Sequence, residues 1–465
     1  MWTPRDQLQA YQFLRRRLIS ALQRGDANHH QAPSRRLAIC VFGGVGIMAL
    51  LGAGFAIWGV LRPGNSRTWD RPGQVIIEKE SGATYVIGTD NLLHPVINYT
   101  SAMLLAAGHS TAVTVSARSL SGVARGQPLG IDGAPTSLPP ADALMTSSEW
   151  TVCVYHPADR PTAAPPVTVL LAGAPPAGGL PGAGQMVVVR DTGGNTYMLT
   201  GGRRLKLVGG AVAALGADTV PPVPVSQAWL NSVPVGPDLT LINVPGRGQP
   251  GPRVGGVATR VGEVLVATSV GGADRYYVVR QNGLAAVSQT VAALVLGNPG
   301  TGPAVPVPLS AAVAAPTAAS PSSADYPDLV PRPAVPPSNP VFCLENAGGD
   351  MGRMWLGDSL PLPAGAHPVP VAGKGQGLPV ADQVLVPPGS GALVRDQAAP
   401  GVDTGTIYLI TDQGVRYPLG GADVARALGY DGITPVPVAS AILTLFPLGP
   451  LLDAAGAQRV AVPVG

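Results

Sequence analysis

The sequence predicts a single-pass membrane protein with a large β-rich α+β body outside the cytoplasm. Three observations lead to this fold class: an uncharged stretch at 37–61, many glycines (61) and prolines (50), and a degenerate repeat that occurs four times. Hydrophobic residues make up 46% of the chain and charged residues 12%, which allows a buried core but disfavours a coiled coil. We therefore expect four repeat modules of roughly 50 residues around a discontinuous central domain.

The positive charge is concentrated at the N-terminus. The formal net charge is +3, and residues 1–36 alone carry seven arginines against two aspartates. The rest of the chain is close to neutral and has no basic stripe, so the sequence excludes nucleic-acid binding as a function class.

Residues 1–36 are predicted to form a basic, amphipathic cytoplasmic helix. Thr3 suits an N-cap, Pro4 the first helical position and Gly25 the C-terminal stop. An apolar stripe recurs at steps of three and four residues: Leu8, Tyr11, Leu14, Leu18 and Leu22. The basic residues are expected on the other faces: Arg5, Arg15, Arg16 and Arg24. Such a helix either lies on anionic lipid or docks a cytoplasmic partner subunit, and the sequence favours neither over the other.

Residues 37–61 are predicted to cross the membrane, followed by a linker at 62–72. As a helix, a stretch of this length rises roughly 37 Å, which exceeds a hydrocarbon core of about 30 Å. A signal peptide is the alternative, but its apolar region is shorter and its preceding segment is brief. Arginines within 20 residues do not decide the orientation; the basic tail as a whole favours a cytoplasmic N-terminus.

The chain has three cysteines. Cys40 lies in the predicted membrane helix, which leaves Cys153 and Cys343 as an even pair in the body. A disulfide between them would stabilise an exported domain, whereas two unrelated buried thiols are the alternative.

The repeat comprises a strand, a second strand that begins with tyrosine, a third short strand and a small-residue helix. The tyrosines are Tyr85, Tyr197, Tyr277 and Tyr408. The modules are predicted at 73–130, 186–239, 264–324 and 390–465. A Val-Pro-Val-like arm follows the helix, and alternating proline there suits a sheet edge. In the third module, the arm is expected to end in an Ala/Pro linker at 312–324.

The stretches between modules are predicted to form the central domain, at 131–185, 240–263 and 325–389. Both body cysteines fall in these stretches. Within and beside them, the segments 160–184 and 312–340 are expected to be flexible surface connectors because of their Pro, Gly and Ala content.

No catalytic, cofactor-binding or metal-binding residues are predicted. The nearest match to a phosphate-binding loop, at 372–377, lacks the hydroxyl that would bind magnesium. The Gly-Asp-Ser-Leu sequence at 357–360 has no downstream Asp-x-x-His and is expected to be a turn. Four histidines lie without metal-site spacing: His94, His109, His156 and His367.

Six features of the sequence belong together: TPRDQLQAY (3–11), the stretch 37–61, LHPVINYTSAML (93–104), GIDGAPTSLP (130–139), WTVC (150–153) and Cys343. Together they resemble the EccB family, a membrane component of the actinobacterial type VII (ESX) secretion system. The resemblance implies a periplasmic body with four modules and a disulfide in the central domain, anchored in the inner membrane.

The resemblance also implies partners. EccB proteins assemble with EccC, which carries FtsK/SpoIIIE-type ATPase modules, with EccD and EccE, and with a mycosin protease, and their periplasmic bodies self-associate. Some members are labelled ATPases, yet this sequence has no Walker motif. The sequence therefore favours a structural scaffold subunit over two alternatives, a nucleotide hydrolase without a standard P-loop and a cell-wall-binding membrane protein.

Overall fold

The computed structural model describes residues 3–25, 33–61, 69–107, 112–158, 161, 164–173, 184–268, 272, 274–322, 325–347, 350–371, 380–399, 401–402 and 404–461. Most of the predicted linker (62–68), His109 and the Gly-rich stretch 372–377 therefore lie outside the described residues. The chain divides into two compact units. The first comprises Met1–Arg71, Ile76–Gly82 and Val113–Val123, and the second comprises Pro72–Val75, Ala83–Ala112 and Ala124–Gly465.

The helices, in chain order, are α1 (Pro4–Arg24), α2 (Pro33–Leu61), α3 (Tyr99–Leu105), α4 (Ala117–Leu120), α5 (Ala211–Ala214), α6 (Gln227–Asn231), α7 (Gln289–Leu296), α8 (Leu309–Ala314), α9 (Ala422–Ala427), α10 (Ser440–Leu443) and α11 (Ala454–Ala457), with a short 3₁₀ helix at Ala141–Ala143.

The strands are β1 (Val75–Glu78), β2 (Thr84–Ile87), β3 (Leu93–Val96), β4 (Val113–Val115), β5 (Glu149–Tyr155), β6 (Val167–Ala172), β7 (Gln185–Arg190), β8 (Thr196–Thr200), β9 (Arg203–Leu207), β10 (Val223–Pro224), β11 (Val264–Thr268), β12 (Asp274–Arg280), β13 (Gly283–Val287), β14 (Val305–Pro306), β15 (Arg332–Pro333), β16 (Val341–Ala347), β17 (Asp350–Gly357), β18 (Val369–Pro370), β19 (Gln383–Leu385), β20 (Gly391–Gln397), β21 (Ile407–Thr411), β22 (Arg416–Pro418) and β23 (Val436–Ala439).

Helix α1 begins and ends where its sequence predicts. The Thr3 backbone N–H donates to Asp6 Oδ2 at 3.0 Å, and the Thr3 hydroxyl donates to the same oxygen at 2.6 Å. These bonds use a carboxylate at the positive end of the helix, and they lower the pKa of Asp6. At the other end, Gly25 has φ 69°, the left-handed conformation that glycine adopts without strain.

Helix α2 is the one candidate membrane span in the described part of the chain. It begins at Pro33, four residues before the predicted start, because nothing in the arginine-containing turn at 33–36 breaks a helix. The apolar span Arg36–Trp58 has a mean hydropathy of 2.2, and none of it is buried within the protein. Strands β1 and β4, also in the first unit, pair in parallel, with Ile76 opposite Val113.

Three sheets in the second unit share one order of four strands, and in the first of them β15 also pairs with β7. They are β10-β7-β8-β9, β13-β12-β11-β14 and β22-β21-β20-β23. In each, a three-stranded antiparallel meander is followed by a short helix, and the proline-containing arm then returns as a strand parallel to the first strand of the meander. The arm lies at the sheet edge, where the N–H that proline lacks is not needed. The hairpin β2–β3 shows the same second and third strands, with Tyr85 opposite Pro95.

The third arm continues further than its sequence suggests. The expected linker at 312–324 is wrong for its first residues, since α8 extends to Ala314 and Thr317 then bridges to Leu284. Alanine has the highest intrinsic helix propensity, and Ala312 is buried against the meander, so an alanine-rich run of low complexity here forms a packed helix.

A six-stranded mixed sheet, β17-β16-β5-β6-β19-β18, forms the centre of the second unit. Its strand β6 corrects the prediction that 160–184 is a connector: Val167–Ala172 is mostly buried and pairs with both β5 and β19. Six consecutive apolar or β-branched residues favour a strand buried on both faces, and the flanking proline and glycine obscured this signal. Segment 240–263 contributes no strand to this sheet; Ile242, Val244 and Val261 instead pack around α7.

Candidate functional site

A disulfide joins two neighbouring seven-residue strands of the central sheet near their middles. Cys153 on β5 and Cys343 on β16 lie directly opposite each other in antiparallel register, with their Cα atoms 4.0 Å apart. Both residues are fully buried, next to Val169, Val341 and the partly buried Trp355 on β17. The predicted cysteine pair is thus bonded in the structure, and the bond closes a chain separation of 190 residues.

The opposite face of the central sheet receives two aromatic side chains from outside it. Trp229 on α6 is fully buried, packs 5.2 Å from the Phe342 ring, and donates its indole N–H to the Val152 carbonyl at 3.1 Å. Phe446, just after α10, contacts Trp150 edge-on, with ring centroids 5.2 Å apart. The sequence reasoning missed this pair of anchors. The available signal was that both follow a Val-Pro-Val arm, Trp229 six residues and Phe446 ten residues after the first valine, with Ser226 capping α6.

The sheets β10-β7-β8-β9 and β22-β21-β20-β23 each bury side chains on both of their faces. Val187, Val189 and Leu199 face the central sheet with α6, whereas Met186 and Val188 face α5 and a neighbouring cluster that includes α7. The sheet β22-β21-β20-β23 alternates in the same way. One face packs on the central sheet, and the other packs on a cluster that includes residues of α3 and the segment 131–144. Because side chains alternate along a strand, one short sheet links two neighbours.

The four predicted core tyrosines occupy equivalent places on the second strand of each meander. Tyr85 and Tyr277 are buried, while Tyr197 and Tyr408 are partly buried against the central core. Two of them also have an arginine over the ring, since Arg125 lies 5.6 Å from the Tyr85 ring centroid and Arg416 lies 5.2 Å from that of Tyr408.

Tyr197 is held through its hydroxyl. It donates to Asp191 Oδ2 at 3.2 Å, and Asn195 donates its backbone N–H and side-chain N–H to the same carboxylate at 2.8 and 2.9 Å. Burial opposes the charged carboxylate, but these hydrogen bonds outweigh it and lower the pKa of Asp191. Burial and the nearby carboxylate raise the pKa of Tyr197. The arrangement fixes the turn between β7 and β8.

The predicted histidines lie apart. His94 has both ring nitrogens near acceptors, with Nδ1 2.9 Å from the Gln127 carbonyl and Nε2 3.1 Å from Asp90 Oδ2. His156 contacts two carbonyl oxygens in its own loop, and His367 is exposed. Among the described residues, no three His, Cys, Asp or Glu side chains are grouped as a metal site.

Helix α1 presents its apolar stripe to solvent. The stripe residues are all at least 58% exposed: Leu8, Tyr11, Leu14, Leu18 and Leu22. The expectation that Arg15 lies on another face is wrong. At 3.6 residues per turn, a residue four after Tyr11 and three before Leu18 lies within the stripe. Arg16 lies beside the stripe, as expected, so one cation divides an otherwise apolar surface.

Two grooves lie at junctions within the second unit. The first, of about 610 Å³, is lined by Ile97, Ile131, Asp132, Leu451, Asp453 and Arg459. The second, of about 550 Å³, is lined by Leu144, Met145, Leu393, Ile433, Pro435 and Val436. The walls of the first groove are a mixture of apolar and charged side chains, whereas those of the second are largely apolar. Both grooves mark places where neighbouring segments pack incompletely.

Known proteins resemble this chain over almost its full length. It is 30% identical to a protein of Mycolicibacterium smegmatis named ESX-3 secretion system ATPase EccB3, over 97% of this chain and 89% of that one. It is 29% identical to the ESX-1 secretion system ATPase EccB1 of the same species, over 97% of this chain and 94% of the relative.

Solved structures show the same fold. A chain in the structure of an intact ESX-5 inner membrane complex superposes with a TM-score of 0.68 at 25% identity, covering all of this chain and 97% of that one. The structure of an EccB3 dimer from the ESX-3 core complex gives a TM-score of 0.68 at 27% identity, covering 83% of this chain and all of the other.

The family model described as "Type VII secretion system ESX-1, transport TM domain B" matches residues 1–463. Together with the apolar span and the disulfide-bonded β-rich body, this match leads to one conclusion. The chain belongs to the EccB family of type VII secretion components.

Proposed function

We propose that this protein is a membrane-anchored scaffold subunit of a type VII secretion core complex. The observation that carries the proposal is the superposition of the full chain on a subunit of an intact ESX-5 inner membrane complex. In the proposal, α2 is the anchor, and the β-rich body holds neighbouring subunits in place for protein export. The body self-associates, as the EccB3 dimer of the ESX-3 core complex does.

The proposed topology places α1 in the cytoplasm and the body in the periplasm. Seven arginines precede or adjoin the start of the apolar span, in keeping with a cytoplasmic tail. The bond between Cys153 and Cys343 belongs to an oxidising compartment, and the cytoplasm of most bacteria keeps thiols reduced. Alkylation in intact cells tests this orientation. A blocked Cys153 supports it, and free thiols shielded from an impermeant reagent contradict it.

The proposed architecture of the body is four modules on a central domain. The support is the shared strand order of three sheets and the matching hairpin around Tyr85. In this scheme, modules two and four dock on the two-faced central sheet through Trp229 and Phe446. Segment 240–263 belongs with module three, since it packs around α7 rather than in the central sheet.

The proposed partners are an EccC-type ATPase, the EccD and EccE membrane subunits and a mycosin protease. Helix α1 is the contact with the cytoplasmic ATPase subunit, because its stripe is exposed and is too polar at Arg15 to be a uniform lipid-facing surface. A cation inside an apolar stripe selects a protein groove that offers a carboxylate.

Charge reversal at adjacent positions tests this contact. Arg15→Glu is expected to abolish co-purification of the ATPase subunit, and Arg16→Glu, with the same change of charge beside the stripe, is the matched control. Equal losses in both variants, together with equal loss of binding to anionic vesicles, would instead assign α1 to the lipid surface.

A nucleotide hydrolase is the second candidate, because the relatives are named ATPases. The stretch most similar to a phosphate-binding loop contains Lys374 and lies outside the described residues. Hydrolysis by the purified full chain is expected to equal that of a mock preparation. A rate that Lys374→Ala removes would establish the enzyme.

A further inference from the structure

The outer edge of β17 differs from the other sheet edges in the described part of the second unit. The third strand of each meander is closed by a bridge on its outer side: Leu93 to Arg125, Arg204 to Val235, Leu284 to Thr317 and Arg416 to Leu448. The arm strands β10, β14 and β23 and the far edge strand β18 each contain a proline. Proline and short chain segments are the usual means of preventing strand addition at an edge. Strand β17 is eight residues long and contains no proline, and among the described residues it pairs only with β16.

The backbone groups that face outward from β17 follow from its register. Cys153 and Cys343 are opposite each other at 4.0 Å, the close spacing of a non-hydrogen-bonded pair, so the backbone N–H and C=O of Cys343 point toward β17. Its partner there is Trp355, whose backbone groups therefore point back to β16. By alternation, Met354 and Leu356 direct their N–H and C=O groups away from the sheet.

A second contact fixes the same alternation. The Arg353 backbone N–H donates to Glu345 Oε2 at 3.3 Å on the β16 side, two residues before the inward-facing Trp355. The Arg353 side chain donates to the same carboxylate at 2.8 Å, which raises the pKa of Arg353. Glu345 is almost fully buried at a bulge in β16, so this pair holds β17 in register and occupies the one cation on the strand.

The remaining charge at this edge is negative. Strand β17 begins at Asp350, and the exposed Asp358 follows its last residue. With Arg353 neutralised by Glu345, the open edge strand has an acidic residue at each end. Two copies of this edge would bring like charges together, which disfavours pairing with a second copy of the chain.

We infer that the outer edge of β17 is a strand-addition site for an extended segment of a different protein, apolar in alternate positions and basic at its ends. An extended backbone is the ligand that satisfies the outward groups of Met354 and Leu356. Basic ends complement the acidic residues at the two ends of β17, Asp350 and Asp358, and a β-branched or aromatic side chain beside Trp355 adds a cross-strand contact. The disulfide at Cys343, on the strand next to β17, keeps the receiving edge rigid, which limits the ordering cost of binding.

The test uses the full chain in detergent and two nine-residue peptides with blocked ends. Both alternate threonine and valine; one ends in lysine on each side and the other in glutamate. Binding is followed by fluorescence anisotropy of labelled peptide at low salt. The lysine peptide is expected to bind about tenfold more tightly than the glutamate peptide, and the difference is expected to shrink as salt rises.

Backbone recognition is tested at one position. Leu356→Pro removes an outward N–H that β16 does not use, and Leu356→Ala is the control that shortens the side chain but keeps the N–H. The proline variant is expected to bind the lysine peptide about tenfold more weakly, whereas the alanine variant changes less than about threefold. Non-reducing peptide mapping checks that both variants retain the Cys153–Cys343 bond.

Asp358→Lys provides a second variant should the proline variant not fold, since Asp358 is exposed and outside the strand. It is expected to reduce the preference for lysine ends by about threefold. The inference is overturned if neither peptide binds, if both bind equally, or if Leu356→Pro binds like the native protein. A dimer that Leu356→Pro disrupts would likewise overturn it, in favour of self-pairing.

Discussion

Removal of the disulfide is the sharpest test of how the body is held together. The change is the double substitution Cys153→Ala and Cys343→Ala. In the folded state, β5 and β16 remain joined by a ladder of six residue pairs, so the sheet is expected to persist without the bond. In the unfolded state, the bond constrains a chain separation of 190 residues. The chain-entropy relation gives about 5 kcal/mol for a loop of this size.

The assay is urea unfolding of the full chain in detergent, followed by tryptophan fluorescence. Because the loss acts mainly on the unfolded ensemble, the midpoint is expected to fall while the slope of the free energy with urea rises, since an unlinked chain exposes more surface. A loss of about 5 kcal/mol is a large part of the stability of an ordinary domain. The native circular dichroism in the near ultraviolet is expected to be retained.

Cys40→Ala is the matched control, because Cys40 is exposed on α2 and outside the body. It is expected to leave both the midpoint and the slope unchanged. A destabilisation below about 1 kcal/mol in the double variant, or a loss of native circular dichroism at zero urea, would refute the reasoning that the bond acts on the unfolded chain.

Three further predictions concern single side chains. Trp229→Phe keeps an aromatic ring but leaves the buried Val152 carbonyl without its indole N–H donor. The variant is expected to lose about 1–3 kcal/mol of unfolding free energy in urea. An unchanged midpoint would contradict the anchor role. Hydrogen bonds lower the folded-state pKa of Asp191 below 3.8, so the stability that this carboxylate contributes is complete above that value and is lost as the pH falls through the folded pKa. The melting temperature of Asp191→Asn is therefore expected to fall less on acidification than that of the native protein. Parallel falls in melting temperature would disprove this. Gly283 has φ 154°, and an added Cβ would lie 2.2 Å from the Pro316 carbonyl oxygen. Gly283→Ala is therefore expected to lower the melting temperature by several degrees in calorimetry. An unchanged melting temperature would show that the third arm is not packed there.

Local patterns predicted much of the fold because they act over a few residues. The capping residues Thr3 and Gly25 set the ends of α1, and the uncharged run produced α2 within four residues of its predicted start. Each segment predicted as a tyrosine strand is a strand in the structure, since alternation and turn chemistry are readable without tertiary context.

Other features could not be read locally. Strand β6 was missed because its apolar run is bounded by proline- and glycine-rich sequence that resembles a connector. The anchors Trp229 and Phe446 were missed because the sequence does not show which residues a buried aromatic side chain contacts. Val152, which accepts the Trp229 hydrogen bond, is 77 residues away along the chain.

The sequence by itself determined the apolar span of α2, the basic residues that precede it and the four tyrosine-bearing strands. Each of these depends on hydrophobicity or backbone preference within one short segment. Only the tertiary structure decided that Cys153 faces Cys343, that two sheets dock on one central sheet, and that β17 keeps an open edge. The physical reason is that strand pairing and register bring together residues far apart in the chain, and the free energy that selects them comes from packing rather than from local propensity.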